Sequence, residues 1–321
     1  MVCKVAYFRF EASTDSGAGH AIRSGVIADE LLENGWDCRI VTSKNTYDFI
    51  PKLERFKRVN PDLFYASPVQ CDLFVIDNYN LDIKYERYFR TFAKKIMVID
   101  DLANRKHDCD ILLDQTFGRD ASDYKTLVPE NCQILVGSDY VLLRKDFRAL
   151  REKALEKRAR TTQIKRILIS MGGSDPENHT RKALQELKNL GYKGAIDIVL
   201  GFQPTHLDSI NHYIKALSND CMIHIDADMP NLTYTADLAI GAAGSSVWER
   251  CCLGLPMVLM LTANNQEKIY ENLRNMHAAI CLEQHESLLR LPCIAQIKNL
   301  QRNSSRLCDG LGINLIMEKV S

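Results

Sequence analysis

The first feature of this chain suited to chemistry is a histidine set directly after a Gly-x-Gly turn, Gly17-Ala18-Gly19-His20, with an arginine three residues on at Arg23. The apolar run before it ends at Phe10, which predicts a strand, so His20 falls in the first turn of the following helix, at the strand's carboxyl end. Gly17 and Gly19 let the backbone take positive φ and approach a ligand closely. A general base must be a neutral imidazole, and the positive end of a helix dipole favours that form. The same residues would also serve a plainer purpose, a tight turn with the histidine as helix cap. They are not a dinucleotide fingerprint, because Ile22 stands where the third glycine belongs.

Two more glycine turns lie in the second half. Ser170-Met171-Gly172-Gly173-Ser174-Asp175-Pro176 reads as a strand running into a turn and then a helix, and Gly241-Ala-Ala-Gly244-Ser245-Ser246 repeats the arrangement. Turns of this kind offer unpaired backbone N–H groups to phosphate, and a pair of them suits a diphosphate. Neither is a P-loop, since the Gly-Lys ending is absent. Glu249, about one helical turn past Ser245-Ser246, is placed to accept hydrogen bonds from ribose hydroxyls. Trp248 and Cys251-Cys252 on the same helix read as core. Past other buried strands stand Asp77-Asn-Tyr79, Asp100-Asp101 and Asp114-Gln115. Tyr79 suits a sugar hydroxyl or amide, while Asp114 reads better as a turn cap. Asn264-Asn265-Gln266 can pair with sugar amides or cap a helix.

The elements that position these residues are legible as an alternation. Strands are expected at Val2–Phe10, Cys38–Thr42, Leu73–Asp77, Ile96–Asp100, Ile111–Asp114 and Ile134–Val136. A second set is expected at Ile167–Met171, Ala195–Leu200, Cys221–Ile225, Leu238–Ile240, Pro256–Leu261 and Ala279–Leu282. Helical stretches include Ala21–Asn34, with Ile22, Val26, Leu31 and Leu32 near helical spacing and Gly35 as its stop, then Asn178–Leu190, Ser245–Leu253 and Glu267–Asn275. Ser43–Gln70 reads as polar helix and loop. This predicts an α/β protein with two Rossmann-like domains whose parallel sheets face a cleft. The expected domains are 1–145, carrying the catalytic loop, and 166–321, carrying the nucleotide turns. The charge-dense stretch 146–165 between them reads as a solvated helix and linker.

Composition narrows the partners. The chain has 321 residues, enough for two domains of ordinary size, with 41 basic and 41 acidic residues. Such a balance lacks the positive field that nucleic acid or an anionic membrane requires. No apolar run approaches the length that spans a bilayer, and the start reads as a strand, not a signal peptide. Eleven scattered cysteines, several of them inside apolar runs, point to reduced thiols in the cytoplasm. No zinc motif, other metal site or cofactor is expected.

Taken as long motifs, these residues resemble one family. Gly-x-Gly-His20-x-x-Arg23, Asp77-x-Tyr79-x-Leu-Asp82, Val98-Ile-Asp-Asp-Leu-Ala-Asn-Arg105 and His107-Asp-Cys-Asp-x-Leu-Leu-Asp-Gln115 match it. So do Ser170-Met-Gly-Gly-Ser-Asp-Pro176 and Ile240-Gly-Ala-Ala-Gly-Ser-Ser-x-Trp-Glu-Arg-Cys-Cys-Leu-Gly-Leu-Pro256. The chain is similar to the UDP-2,4-diacetamido-2,4,6-trideoxy-β-L-altropyranose hydrolases of pseudaminic acid biosynthesis. The resemblance implies a GT-B fold and metal-independent hydrolysis of the UDP-sugar to UDP and free sugar, with inversion at the anomeric carbon. It implies His20 as base and a sugar site of Glu11, Gly19, Arg23, Tyr79 and Asn265. It implies that Met171, Gly172, Gly173, Gly244, Ser245, Ser246 and Glu249 hold UDP. The chain departs from the family in having Glu11 for aspartate and Ser16 for an apolar residue, beside Asp15. A glycosyltransferase on the same fold, or a nucleotide-sugar-binding protein without catalysis, are the alternative readings.

Overall fold

The alternation resolves into two separate, wholly parallel sheets in the computed structural model, which describes residues 3–13, 17–173, 175–282 and 290–320. Asp15, Ser16 and Ser174 lie outside the described residues, as does the side chain of Asn265. The chain divides into two compact units, Met1–Leu143 with Leu311–Ser321, and Arg144–Gly310.

In the first unit the order along the chain is β1 (Val5–Phe10), α1 (Gly19–Glu33), β2 (Asp37–Val41), α2 (Lys44–Phe49), β3 (Lys57–Val59) and α3 (Pro61–Ala66). There follow β4 (Cys71–Asp77), α4 (Ile83–Phe89), β5 (Ala93–Ile99), β6 (Ile111–Asp114) and β7 (Gln133–Val136). The sheet order is β3-β2-β1-β4-β5-β6-β7. Winding reverses between β1 and β4, and such a switch point opens a crevice at the strands' carboxyl ends. The central strands are buried on both faces, so they read as near-continuous apolar runs. Phe8, Phe10 and Val75 fill one core with Ile27 and Leu31 of α1, while Tyr7, Phe74 and Ile76 fill the other with Phe64 and Phe89.

The second unit runs α5 (Lys145–Arg160), β8 (Arg166–Ser170), α6 (His179–Asn189), β9 (Ala195–Leu200), α7 (Leu207–Ile214), β10 (Cys221–Ile225) and α8 (Met229–Thr235). It continues with β11 (Leu238–Ala242), α9 (Ser246–Cys252), β12 (Met257–Met260), α10 (Glu267–Asn275), β13 (Ile280–Leu282) and α11 (Ile294–Ser305). Its sheet order is β10-β9-β8-β11-β12-β13, so it repeats the winding of the first, with the switch between β8 and β11.

Four expectations are corrected. Within Ser43–Gln70 the chain adds an edge strand, β3, which pairs with β2 through Lys57, Arg58 and Val59. On α1, Ile22 and Leu32 face solvent, and the buried stripe takes in Arg23 and Ser24 instead. The stretch expected as a solvated helix and linker is the helix α5, which belongs to the second unit, where its cations end other helices. Lys157 donates to the carbonyls of Tyr234, Thr235 and Ala236 at 3.2, 2.5 and 3.1 Å, at the carboxyl end of α8. Arg151 binds the carbonyls of Cys252, Ser305 and Cys308, where α9 and α11 close. Cations there meet unpaired carbonyls and the negative end of the dipole. Last, the second domain does not run to the end of the chain. Helix α12 (Gly312–Val320) lies in the first unit, with Ile313, Ile316 and Val320 in the same core as Leu142 and Ile27. Among the described residues no helix is long and apolar enough to cross a membrane.

Candidate active site

His20 is the second residue of α1, as its place after the glycine turn predicts. Gly17 takes φ +74°, whereas Gly19 has ordinary helical backbone, and a Cβ there would meet nothing within 4 Å. The neighbour of β1 in the sheet is β4, and Phe10 lies in register with Asp77. That pairing delivers a carboxylate to the base of α1. His20 Nδ1 lies 2.5 Å from Asp77 Oδ1. Because the carboxylate only accepts, Nδ1 carries the proton and Nε2 is the bare nitrogen. The Nη2 of Arg23 also lies 3.3 Å from Nδ1, but it donates to Asp77 Oδ1 at 2.6 Å. Nε2 has no protein partner among the described residues.

Asp77 is held from three further directions. Arg23 donates to it through Nε and Nη2 at 2.7 and 2.6 Å, and Ser24 Oγ donates at 3.2 Å. Burial by itself would raise the Asp77 carboxyl, but the charge of Arg23 and the hydrogen bonds from Arg23 and His20 outweigh it and hold the pKa down to about 2. Arg23 also donates to Asp101 Oδ2 at 2.8 Å, and Asp101 Oδ1 accepts from the Tyr79 hydroxyl at 2.6 Å. The Tyr79 ring meets His20 edge-on, centroids 4.6 Å apart. Arg105 fixes the strand end beneath, donating to the carbonyls of Tyr79 and Asn78 at 3.1 and 3.3 Å while paired to Asp100 at 3.1 Å.

The structure thus brings together Gly19, His20, Arg23 and Tyr79 around Asp77, the residue sequence reasoning passed over. Glu11 stands apart. Its oxygens accept from Arg9 at 2.6 Å, Ser43 Oγ at 2.7 Å and Thr46 Oγ1 at 2.6 Å, at the amino end of α2. Although burial pushes its carboxyl up, these hydrogen bonds and Arg9 outweigh it and lower the pKa. Glu11 makes no hydrogen bond or ion pair to His20 among the described residues. Asp114 does cap a turn, accepting from Thr116 N at 2.8 Å.

In the second unit both glycine turns leave strands adjacent at the switch point, one after β8 and one after β11. Gly172 takes φ +95°. The amides at the start of α6 are already taken: Asp175 accepts from His179 N and Thr180 N at 2.7 and 2.9 Å, and Asn178 from Arg181 N at 3.2 Å. An acidic and an amide side chain already fill that helix end, which leaves the turn itself, with Met171, Gly172 and Gly173, as the part open to a ligand. The second turn differs. Ser245 makes no side-chain cap, and the amides of Gly244, Ser245 and Ser246 have no protein acceptor among the described residues. Gln266 closes in from the β12–α10 connection, its Nε2 3.8 Å from where a Gly244 Cβ would stand, while its Oε1 accepts from Thr262.

Glu249 sits one turn into α9 with no side-chain partner among the described residues. Burial raises its carboxyl from an ordinary 4.5 to about 7, against the pull of Arg144 and Arg250. The folded state therefore holds a proton that the unfolded chain has released between these two pH values, so stability falls as pH rises through that window. Glu249→Gln is expected to leave the unliganded protein nearly unchanged at pH 4 and to stabilise it by ~1–2 kcal/mol at pH 8. Thermal melts at the two pH values check this, and an equal shift at both would show that Glu249 carries no such strain.

Two parallel-sheet Rossmann-like units of this order define a GT-B fold, and solved structures share it. The chain superposes on the MurG structure of Acinetobacter baumannii with a TM-score of 0.65 at 12% identity, covering 99% of each chain. It superposes on a UDP-GlcNAc 2-epimerase of Neisseria meningitidis bound to UDP-GlcNAc with a TM-score of 0.58 at 12% identity, again over 99% of each. No family model matches the chain. In sequence it is 27% identical over 267 residues to the UDP-2,4-diacetamido-2,4,6-trideoxy-β-L-altropyranose hydrolase of Campylobacter jejuni, covering 81% of this chain and 92% of that protein. It is 24% identical to the spore coat polysaccharide biosynthesis protein SpsG of Bacillus subtilis, over 93% of this chain and 92% of that one. An uncharacterised protein of Methanocaldococcus jannaschii is 28% identical over 82% of this chain, which spans 56% of that longer protein. The chain has a GT-B fold.

Proposed function

We propose that this protein hydrolyses a UDP-linked 2,4-diacetamido-2,4,6-trideoxy sugar of the β-L-altro configuration, a step of pseudaminic acid biosynthesis. The observation that carries the reading is the 2.5 Å contact from His20 Nδ1 to Asp77, which fixes the tautomer and leaves Nε2 to act as base. The 27% identity to a hydrolase of that name supports the substrate. Water attacks the anomeric carbon from the face opposite UDP, His20 Nε2 takes its proton, and the carbon–oxygen bond to UDP breaks with its electron pair leaving on the diphosphate. The anomeric carbon inverts. Asp77 holds the imidazole and stabilises the imidazolium that forms, while Tyr79, Arg23 and Gly19 line the sugar. Met171, Gly172, Gly173, Gly244, Ser245 and Ser246 take the diphosphate and Glu249 the ribose. UDP is already a good leaving group, so orientation and fixed N–H donors supply much of the rate.

Proton NMR of the protein with that UDP-sugar tests this, with a chelator present and no acceptor added. Prompt appearance of UDP and free sugar, first as the inverted anomer, is expected. An unchanged spectrum would sink the hydrolase reading and leave a transferase needing an acceptor or a binding protein.

A further inference from the structure

Beneath the two glycine turns of the second unit lies a charge that the chemistry above does not use. Arg250 of α9 is 1% exposed. Its Nη2 donates to the carbonyl of Ser170 at 3.1 Å and to Ser246 Oγ at 3.3 Å, and Nη1 to the carbonyl of Ala242 at 3.4 Å. Ser170 is the last residue of β8 and Ala242 the last of β11, so the guanidinium bridges the two strand ends from which the turns depart. A Cβ on Gly241 would stand 2.2 Å from the Ser170 carbonyl oxygen and 2.4 Å from Nη2, so glycine here makes room for the neighbouring strand and the guanidinium together.

No carboxylate lies within ion-pair distance of Arg250 among the described residues, and its Nε has no partner. Burial pulls its pKa from 12.5 down to about 10, which nearby Glu249 only partly resists. A desolvated cation held by neutral acceptors alone is unfavourable unless something compensates it. Two other buried arginines show what compensation looks like. Arg23 has the carboxylates of Asp77 and Asp101. Arg158, whose pKa burial likewise lowers to about 10 and whose Nε likewise has no partner, still has the carbonyls of Thr233 and Ala236 at the closing end of α8, where the helix dipole is negative. The strand ends under Arg250 offer no comparable dipole.

We propose that Arg250 is the buried cation that holds a ligand's diphosphate over the two glycine turns, the diphosphate being its missing counter-ion. This rests on the nucleotide reading of the second unit, not on the chemistry of the first. Arg250 acts through the strand-end carbonyls and the field it casts, as a positioning residue with no direct contact to the reacting carbon. Its effect must scale with phosphate charge and vanish for a nucleoside.

Titration calorimetry with UDP, UMP, uridine and inorganic pyrophosphate tests this on the wild type, Arg250→Gln, Arg250→Met and Arg250→Lys, with a thermal melt for each. Arg250→Gln and Arg250→Met are expected to lose on the order of 10–100-fold in affinity for UDP and pyrophosphate, with uridine changed less than about twofold. Arg250→Lys, which restores charge but not the fork of hydrogen bonds, recovers most of the loss. If the neutral variants do not fold, Arg250→Lys decides alone, since it must keep the wild-type preference of UDP over uridine. The proposal is overturned if UDP and uridine weaken together, if a neutral variant binds UDP like the wild type, or if lysine fails to keep the preference. If the Arg250 variants behave as expected while the wild type releases no sugar, the hydrolase reading falls and this one stands. Sugar release with UDP binding indifferent to Arg250 gives the reverse.

Discussion

Asparagine in place of His20 is expected to lower kcat for hydrolysis by ~10²–10⁴, the usual worth of a general base, with UDP affinity close to wild type. The separation follows from where the residue sits. His20 touches Asp77 and Tyr79 in the first unit, whereas the proposed nucleotide contacts all come from the second. The Arg23–Asp77 pair survives the change, because Arg23 reaches both carboxylate oxygens without the histidine. A melting temperature near wild type should therefore accompany the loss of rate. A variant that kept most of its turnover would remove His20 as the base.

Changing Asp77 should strike rate and stability together. Asp77→Asn keeps the shape but turns an acceptor-only group into one that must face a guanidinium with an N–H₂. His20 is then no longer held in one tautomer, and kcat is expected to fall by ~10²–10⁴. Asp77→Ala also leaves Arg23, itself 9% exposed, with only Asp101, and breaking a buried pair in this way costs about 3–5 kcal/mol. The pH dependence has a defined sign. With its folded pKa depressed to about 2, Asp77 contributes stability that is fully present above its unfolded value near 4, and that is lost as pH falls through about 2. Acid unfolding of the wild type should therefore steepen between about pH 4 and 2, and Asp77→Ala should flatten that part of the curve. If urea midpoints of wild type and variant ran parallel across this range, the depressed carboxylate would be wrong.

Asp77 also shows where reading the sequence stops. Three apolar strands end in a carboxylate, at Asp77, Asp100 and Asp114, and along the chain they look alike. Asp114 caps its own turn through Thr116 N, and Asp100 does so through Leu102 N and Ala103 N at 3.3 and 2.9 Å. Only strand order separates the third. With β4 beside β1, Asp77 faces a helix from a different part of the chain, and no local pattern reports that. The same reason hid Arg250, whose place beneath the glycine turns depends on β8 and β11 being adjacent. Apolar runs announced the central strands because burial on both faces leaves a continuous hydrophobic signature. Lys57–Val59 carries none, being a three-residue edge strand. Arg23 and Ser24 broke the apolar periodicity of α1 because what they pack against is a carboxylate.

The return of α12 to the first unit bears on the order in which this molecule can be made. Residues 144–310 form one uninterrupted unit, so everything it needs has been synthesised by the time Gly310 is added. The first unit begins 143 residues earlier yet completes its core with Ile313, Ile316 and Val320, and Lys95 Nζ donates to the carbonyls of Lys319 and Val320 in that helix at 3.1 and 3.3 Å. On the ribosome, the half that is started first is therefore the half that is closed last. Until then the surface meant for α12, beside Leu142 and Ile27, stays open as an apolar face on a nascent chain.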